Sequence, residues 1–138
     1  MVTKIRLVKA LVRYNGKYLL LRKSEDKFFP ENIGKWECSG GLVKMWESPE
    51  KAIAKELATE TGLEFNIVKK LPTLTMKDEK YYSHCDIYLI EASSDKVNLS
   101  DKHSEYQWVS AEEVKNVDLV LYANLLLEFF NNPKKYLD

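Results

Sequence analysis

The sequence predicts an α/β fold of mixed, α+β character, formed by a single domain over residues 1–138. Three observations carry this reading. Residues 4–14 and 18–22 are rich in β-formers and are separated by Asn15-Gly16, the strongest short hairpin signal. Residues 65–77 and 81–92 form a second pair of long β-rich runs around the turn Asp78-Glu-Lys80, the first of them interrupted by Pro72. Between the two pairs lies one helical segment over residues 49–61, and further helical segments close the chain.

The middle helix has signals at both ends. Ser48 is suited to the N-cap, Pro49 to the first helical position and Gly62 to the residue just past the end. Before it, residues 23–35 read as a polar loop, and Trp36-Glu37-Cys38 as a short strand leading to a Gly40-Gly41 turn. After the long strands, residues 93–104 are a polar loop and Glu105–Val109 a strand. Ser110-Ala-Glu-Glu113 is a capping box opening a short helix. Leu119–Phe130 is apolar enough for a final helix, with Pro133 beyond its end.

Composition narrows the function. Lys plus Arg and Asp plus Glu are 21 each, so net charge is zero, which argues against nucleic-acid polymers or membranes held by bulk electrostatics. No apolar run approaches the ~20 residues of a transmembrane helix, and the first residues lack a signal-peptide pattern, so the expected location is cytoplasmic. Two cysteines, Cys38 and Cys85, make neither a disulfide framework nor a zinc site.

The chemistry concentrates in residues 41–63. Glu56 and Glu60 are four apart on the helix, hence on one face, with no Lys or Arg three or four residues away to pair them. Alone, they fit a solvated acidic face as well as a site for a hard cation such as magnesium, which takes oxygen ligands. The whole stretch, however, resembles the Nudix box: Gly, five residues, Glu, seven residues, Arg-Glu-apolar-x-Glu-Glu-x-Gly-apolar. Gly41, Glu47, Glu56, Leu57, Glu60, Gly62 and Leu63 fall on that pattern without a gap. The early hairpin with Leu-Leu-Leu-Arg22, Gly34-Lys-Trp36 and Glu105–Ser110 are similar to the family as well.

The resemblance implies a mixed sheet between helices, carrying the box as loop-helix-loop. It also implies magnesium-dependent hydrolysis of a nucleoside diphosphate linked to another group, a small-molecule substrate, in a monomer or homodimer. It assigns Glu56, Glu60 and the carbonyl at Gly41 (or Gly40) to the metal, with Glu47 holding the box loop through the position of Lys55. Four departures bear on activity. Lys55 replaces the box Arg and loses its planar fork. Thr59 replaces a metal-binding Glu. Lys102 stands where the family often has another, six residues before Trp108. Cys38-Ser39-Gly40-Gly41 replaces Leu-Pro-Gly-Gly. These departures imply an impaired site with weak or substrate-dependent magnesium.

Two alternatives accompany that reading. One is an engineered scaffold in which Cys38, activated by His103 or His84, is the nucleophile of an ester hydrolase, needs no metal, and has Met45 and Trp46 as an apolar wall. The other is a non-catalytic nucleotide-binding module.

Overall fold

The computed structural model describes residues 2–138. The strands are β1 (Thr3–Tyr14), β2 (Lys17–Lys23), β3 (Trp36–Glu37), β4 (Gly40–Leu42), β5 (Phe65–Lys77), β6 (Tyr81–Ala92) and β7 (His103–Val109). The helices are α1 (Pro49–Thr61), α2 (Leu127–Asn131) and α3 (Pro133–Tyr136). The main path of the sheet runs β3-β2-β1-β6-β5, with β4 also on β1 and β7 also on β2. The β1–β6 pair is parallel and the others are antiparallel, giving a mixed sheet. No helix among the described residues is long and apolar enough to cross a membrane.

The centre of the sheet is buried on both faces, because side chains alternate along each strand. Val8, Ala10 and Val12 of β1 face α1, where Ala52, Ile53 and Leu57 cover them. Leu11, Leu20, Ile87 and Leu89 face the opposite way and are covered by Leu126, Phe129, Phe130 and Leu137. The sheet is therefore held between α1 and the C-terminal segments.

Local signals account for most boundaries. Asn15 and Gly16 take the positive φ values (49° and 75°) of a tight hairpin turn. Ser48 Oγ accepts the Lys51 N–H at 3.2 Å, Pro49 opens α1, and Gly62 closes it at φ 67°. Across Pro72, β5 slips register between Leu71 and Leu74. Two expectations need correcting. The Ser110–Glu113 capping box forms reciprocally, but it opens only a 3-10 turn over Val114–Asn116. Leu119–Phe130 is not one helix. Its start is drawn onto β3: Trp36 N–H donates to the Asp118 carbonyl, and Val120 N–H donates to the Trp36 carbonyl. A 3-10 segment then spans Leu121–Leu126, and α-helix begins only at Leu127, with Pro133 opening α3.

Candidate active site

The site is built where α1 meets β4. Gly40 and Gly41 lie against Lys9 and Val8 of β1. A Cβ on Gly40 would sit 2.0 Å from the Val8 carbonyl oxygen, so only glycine permits this approach. A Cβ on Gly41 would sit 3.1 Å from the Glu56 carboxyl carbon, so that carboxyl rests directly on the glycine backbone. One turn further along α1, Glu60 is almost fully buried. Its Oε1 accepts hydrogen bonds from Ser39 Oγ (2.6 Å) and the Gly40 N–H (3.1 Å).

Glu56 is half-buried, and its carboxyl is pushed above the ordinary range. Burial contributes most and the Glu60 charge next, opposed by the charges of Lys102, Lys9 and Lys55. Two carboxylates one turn apart, one of them desolvated, are repulsive to each other.

Glu60 lines a cleft of about 470 Å³, as does Gly41, the glycine against which the Glu56 carboxyl rests. Gly40, Gly41, Glu60 and Lys102 line it, as do Phe28, Phe29 and Tyr81, with Phe29 and Tyr81 in edge contact at 6.3 Å between ring centres. Its wall also carries a buried ionic network. Glu37 Oε1 accepts from Lys9 Nζ (3.1 Å) and the Tyr122 hydroxyl. Its Oε2 lies 2.8 Å from His103 Nε2 and 3.5 Å from Lys23 Nζ. Lys9 Nζ also donates to the Cys38 carbonyl (3.2 Å). Burial opposes ionisation of Glu37, but Lys9, His103, Lys23 and Tyr122 together hold its carboxyl well below the usual range. Since that carboxylate only accepts, the His103 Nε2 carries the proton between them.

A family model for the NUDIX domain matches residues 4–128. The chain belongs to the Nudix family. It is 30% identical over 125 residues to a nucleoside triphosphatase NudI of Klebsiella pneumoniae (strain 342), covering 82% of this chain and 86% of that relative. A MutT protein from Methanosarcina mazei Go1 has the same fold, with TM-score 0.82, 31% identity and 97% of each chain covered. The E. coli ORF135 protein shares the fold at TM-score 0.78 and 23% identity, covering 96% of this chain and 92% of that one.

Nudix hydrolases generally use divalent metal ions, and the donors here fit one hard cation. Glu56 and Glu60 are repelling carboxylates beside a glycine backbone whose close approach no side chain obstructs. They do not form a larger cluster: no group of three or more His, Cys, Asp or Glu side chains converges among the described residues.

Of the other residues singled out by the sequence, Glu47 accepts the Lys44 N–H at 3.0 Å and makes no ion pair with Lys55, which is exposed. The loop is thus held by a backbone hydrogen bond to Glu47 rather than by a charge clamp. Thr59 is exposed on α1. Lys102 lines the cleft, and its charge acts on Glu56.

The thiol–imidazole pairing does not form. Cys38 packs in the core beneath the sheet, and its thiol is pushed up to about 12, chiefly by burial. Among the described residues it makes no hydrogen bond with an imidazole. His103 is bound to Glu37, while His84 is exposed and lies 3.5 Å from Asp86. Cys38 and Ser39 join β3 to β4, and their side chains diverge: Ser39 turns to Glu60, while Cys38 packs into the core. Met45 and Trp46, 92% and 82% exposed, form no wall of the cleft.

Sequence reasoning missed the Lys9–Glu37–His103–Tyr122 network, whose other members are 28, 66 and 85 positions from Glu37. The available signal was Lys9 itself, a lysine inside the apolar run Leu7–Leu11.

Proposed function

We propose that this Nudix chain hydrolyses a diphosphate bond in a small nucleotide, a nucleoside diphosphate linked to another group. Nucleoside triphosphates, the substrates named for its NudI relative, are within that class. Magnesium is the cation proposed, one ion held by Glu56, Glu60 and the backbone carbonyl at Gly41 or Gly40. The observation that carries the reading is the meeting of these two carboxylates with the Gly40–Gly41 backbone at the edge of a nucleotide-sized cleft.

When bound, such an ion polarises phosphate oxygens and makes nearby water more acidic. The rest of the work falls to the chain. Ser39 and the Gly40 N–H fix Glu60 in one orientation, leaving its Oε2 without a hydrogen bond among the described residues. Glu56, half-buried with its carboxyl against Gly41, is the second carboxylate that would hold the ion. Thr59 and Lys102 remove carboxylates and, at Lys102, add a positive charge, so metal binding without substrate is weak and turnover slow.

The test is magnesium-dependent phosphate or pyrophosphate release from nucleoside triphosphates and nucleoside diphosphate sugars, comparing the native chain with Glu60→Gln. The expected result is slow, magnesium-dependent release from at least one class, lost in Glu60→Gln. Nucleotide binding with no release in any condition would instead support a binding module, a reading favoured by the positive charge of Lys102 acting on Glu56.

A further inference from the structure

We infer that Lys102 is a phosphate-binding group of the cleft, supplying the fixed positive charge that draws the diphosphate onto the carboxylate pair. The inference rests on the proposed diphosphate hydrolysis. Four lysines line the cleft: Lys9, Lys23, Lys27 and Lys102. Two of them are occupied, Lys9 with Glu37 and Lys23 with Asp26, each at 3.1 Å. Lys27 and Lys102 make no salt bridge among the described residues. Lys27 belongs to the loop after β2, beside Phe28. Of these two, Lys102 is the one whose charge reaches Glu56, and it shares the lining with Gly40, Gly41 and Glu60; Lys55, whose charge also reaches Glu56, is outside the lining.

The backbone of Lys102 is anchored although its ammonium is in solvent. Its carbonyl accepts the Ser24 N–H at 3.0 Å, and its own N–H donates to Ser100 Oγ at 3.4 Å. The next residue, His103, is buried and fastened to Glu37 at 2.8 Å. A lysine on a flexible stem from a fixed backbone suits a point-charge contact with phosphate.

Charge balance gives this contact a role. The two charges of Glu56 and Glu60 offset those of a divalent ion, so the long-range attraction for an anionic diphosphate falls to other groups. Lys102 restores one positive charge at that place. The residue that weakens the metal site therefore strengthens the site for substrate, and metal affinity and phosphate affinity are set against each other at one position.

The experiment is calorimetric titration with inorganic pyrophosphate, in EDTA and in magnesium. The chains compared are the native one, Lys102→Gln, Lys102→Arg and, as a control on an exposed lysine outside the cleft, Lys115→Gln. Lys102→Gln is expected to weaken pyrophosphate binding about tenfold in EDTA, equal to about 1.4 kcal/mol. Lys102→Arg and Lys115→Gln are expected to stay close to native. Unchanged binding by Lys102→Gln in EDTA, or a gain in magnesium with no loss in EDTA, overturns the inference and leaves Lys102 only as a repellent of the metal. If the native chain binds pyrophosphate in neither buffer and hydrolyses no nucleotide, the proposed function falls with it. Hydrolysis that persists with unchanged KM in Lys102→Gln overturns the inference alone.

Discussion

Replacing Glu37 by Gln removes the charge at the centre of the buried network while keeping its shape. Lys9 and Glu37 are each about 4% exposed and lie 3.1 Å apart. In Glu37→Gln, Lys9 loses its buried counter-charge and keeps only neutral partners, namely the Gln amide oxygen, the Cys38 carbonyl and the face of Tyr122, 5.0 Å from its ring centre. Breaking one side of a buried ion pair costs about 3–5 kcal/mol, because the other charge is left desolvated and uncompensated. For a domain of this size that lowers the melting temperature by about 10–17 °C. The pH dependence should change too. Native Glu37 has its pKa depressed, so its stabilisation is present above the ordinary carboxylate range and is lost as pH falls below it. Thermal and urea melts followed by circular dichroism, between about pH 7 and pH 3, measure both effects. Glu37→Gln should be less stable at neutral pH and show a flatter loss on acidification. The double change Lys9→Met with Glu37→Gln should recover part of the loss, since no unpaired charge remains. A cost below about 1 kcal/mol at neutral pH, or an acid dependence identical to native, would refute the reasoning.

Other consequences arise from the same geometry. The Cys38 thiol, buried and pushed up to about 12, should not react with a disulfide reagent at mildly alkaline pH in the folded chain, and should react at once in urea. Ser39→Ala removes a 2.6 Å hydrogen bond to the buried Glu60 carboxylate and should cost about 1.5–3 kcal/mol in urea melts. Gly40→Ala should destabilise more than Gly41→Ala, because its Cβ meets the Val8 backbone carbonyl at 2.0 Å rather than a side chain that can move. Gly41→Ala should instead displace Glu56 and lower magnesium-dependent nucleotide hydrolysis, measurable by phosphate release, with stability nearly unchanged.

The fold was legible where local chemistry decides it. The Ser48, Pro49 and Gly62 signals bound α1, and Asn15-Gly16 sets the first hairpin, because a cap or a turn needs only neighbours in sequence. The final helix was not legible, because Leu119 and Val120 are claimed by Trp36, a partner remote in the chain. The same holds at the site. The spacing from Gly41 to Leu63 points to Glu56 and Glu60, which one helix presents together. The Glu37 network is assembled from β1, β3, β7 and the C-terminal 3-10 segment, so no sequence window contains it. The misplaced thiol chemistry has a similar origin. Adjacency of Cys38 to the glycine turn says nothing of which way the side chain points, and it is Ser39, not Cys38, that turns to the carboxylates.

Glu56 and Glu60 are proposed to form a single-cation site weakened by Thr59 and Lys102. The most direct measurement is calorimetric titration of magnesium, without substrate, into the native chain and the Thr59→Glu, Lys102→Glu double variant. That change makes the site more negative by three charges. Weak or undetectable binding is expected of the native chain, and an affinity at least about tenfold higher of the double variant. Tight binding by the native chain, or a double variant that binds no better, would contradict the proposed weakening.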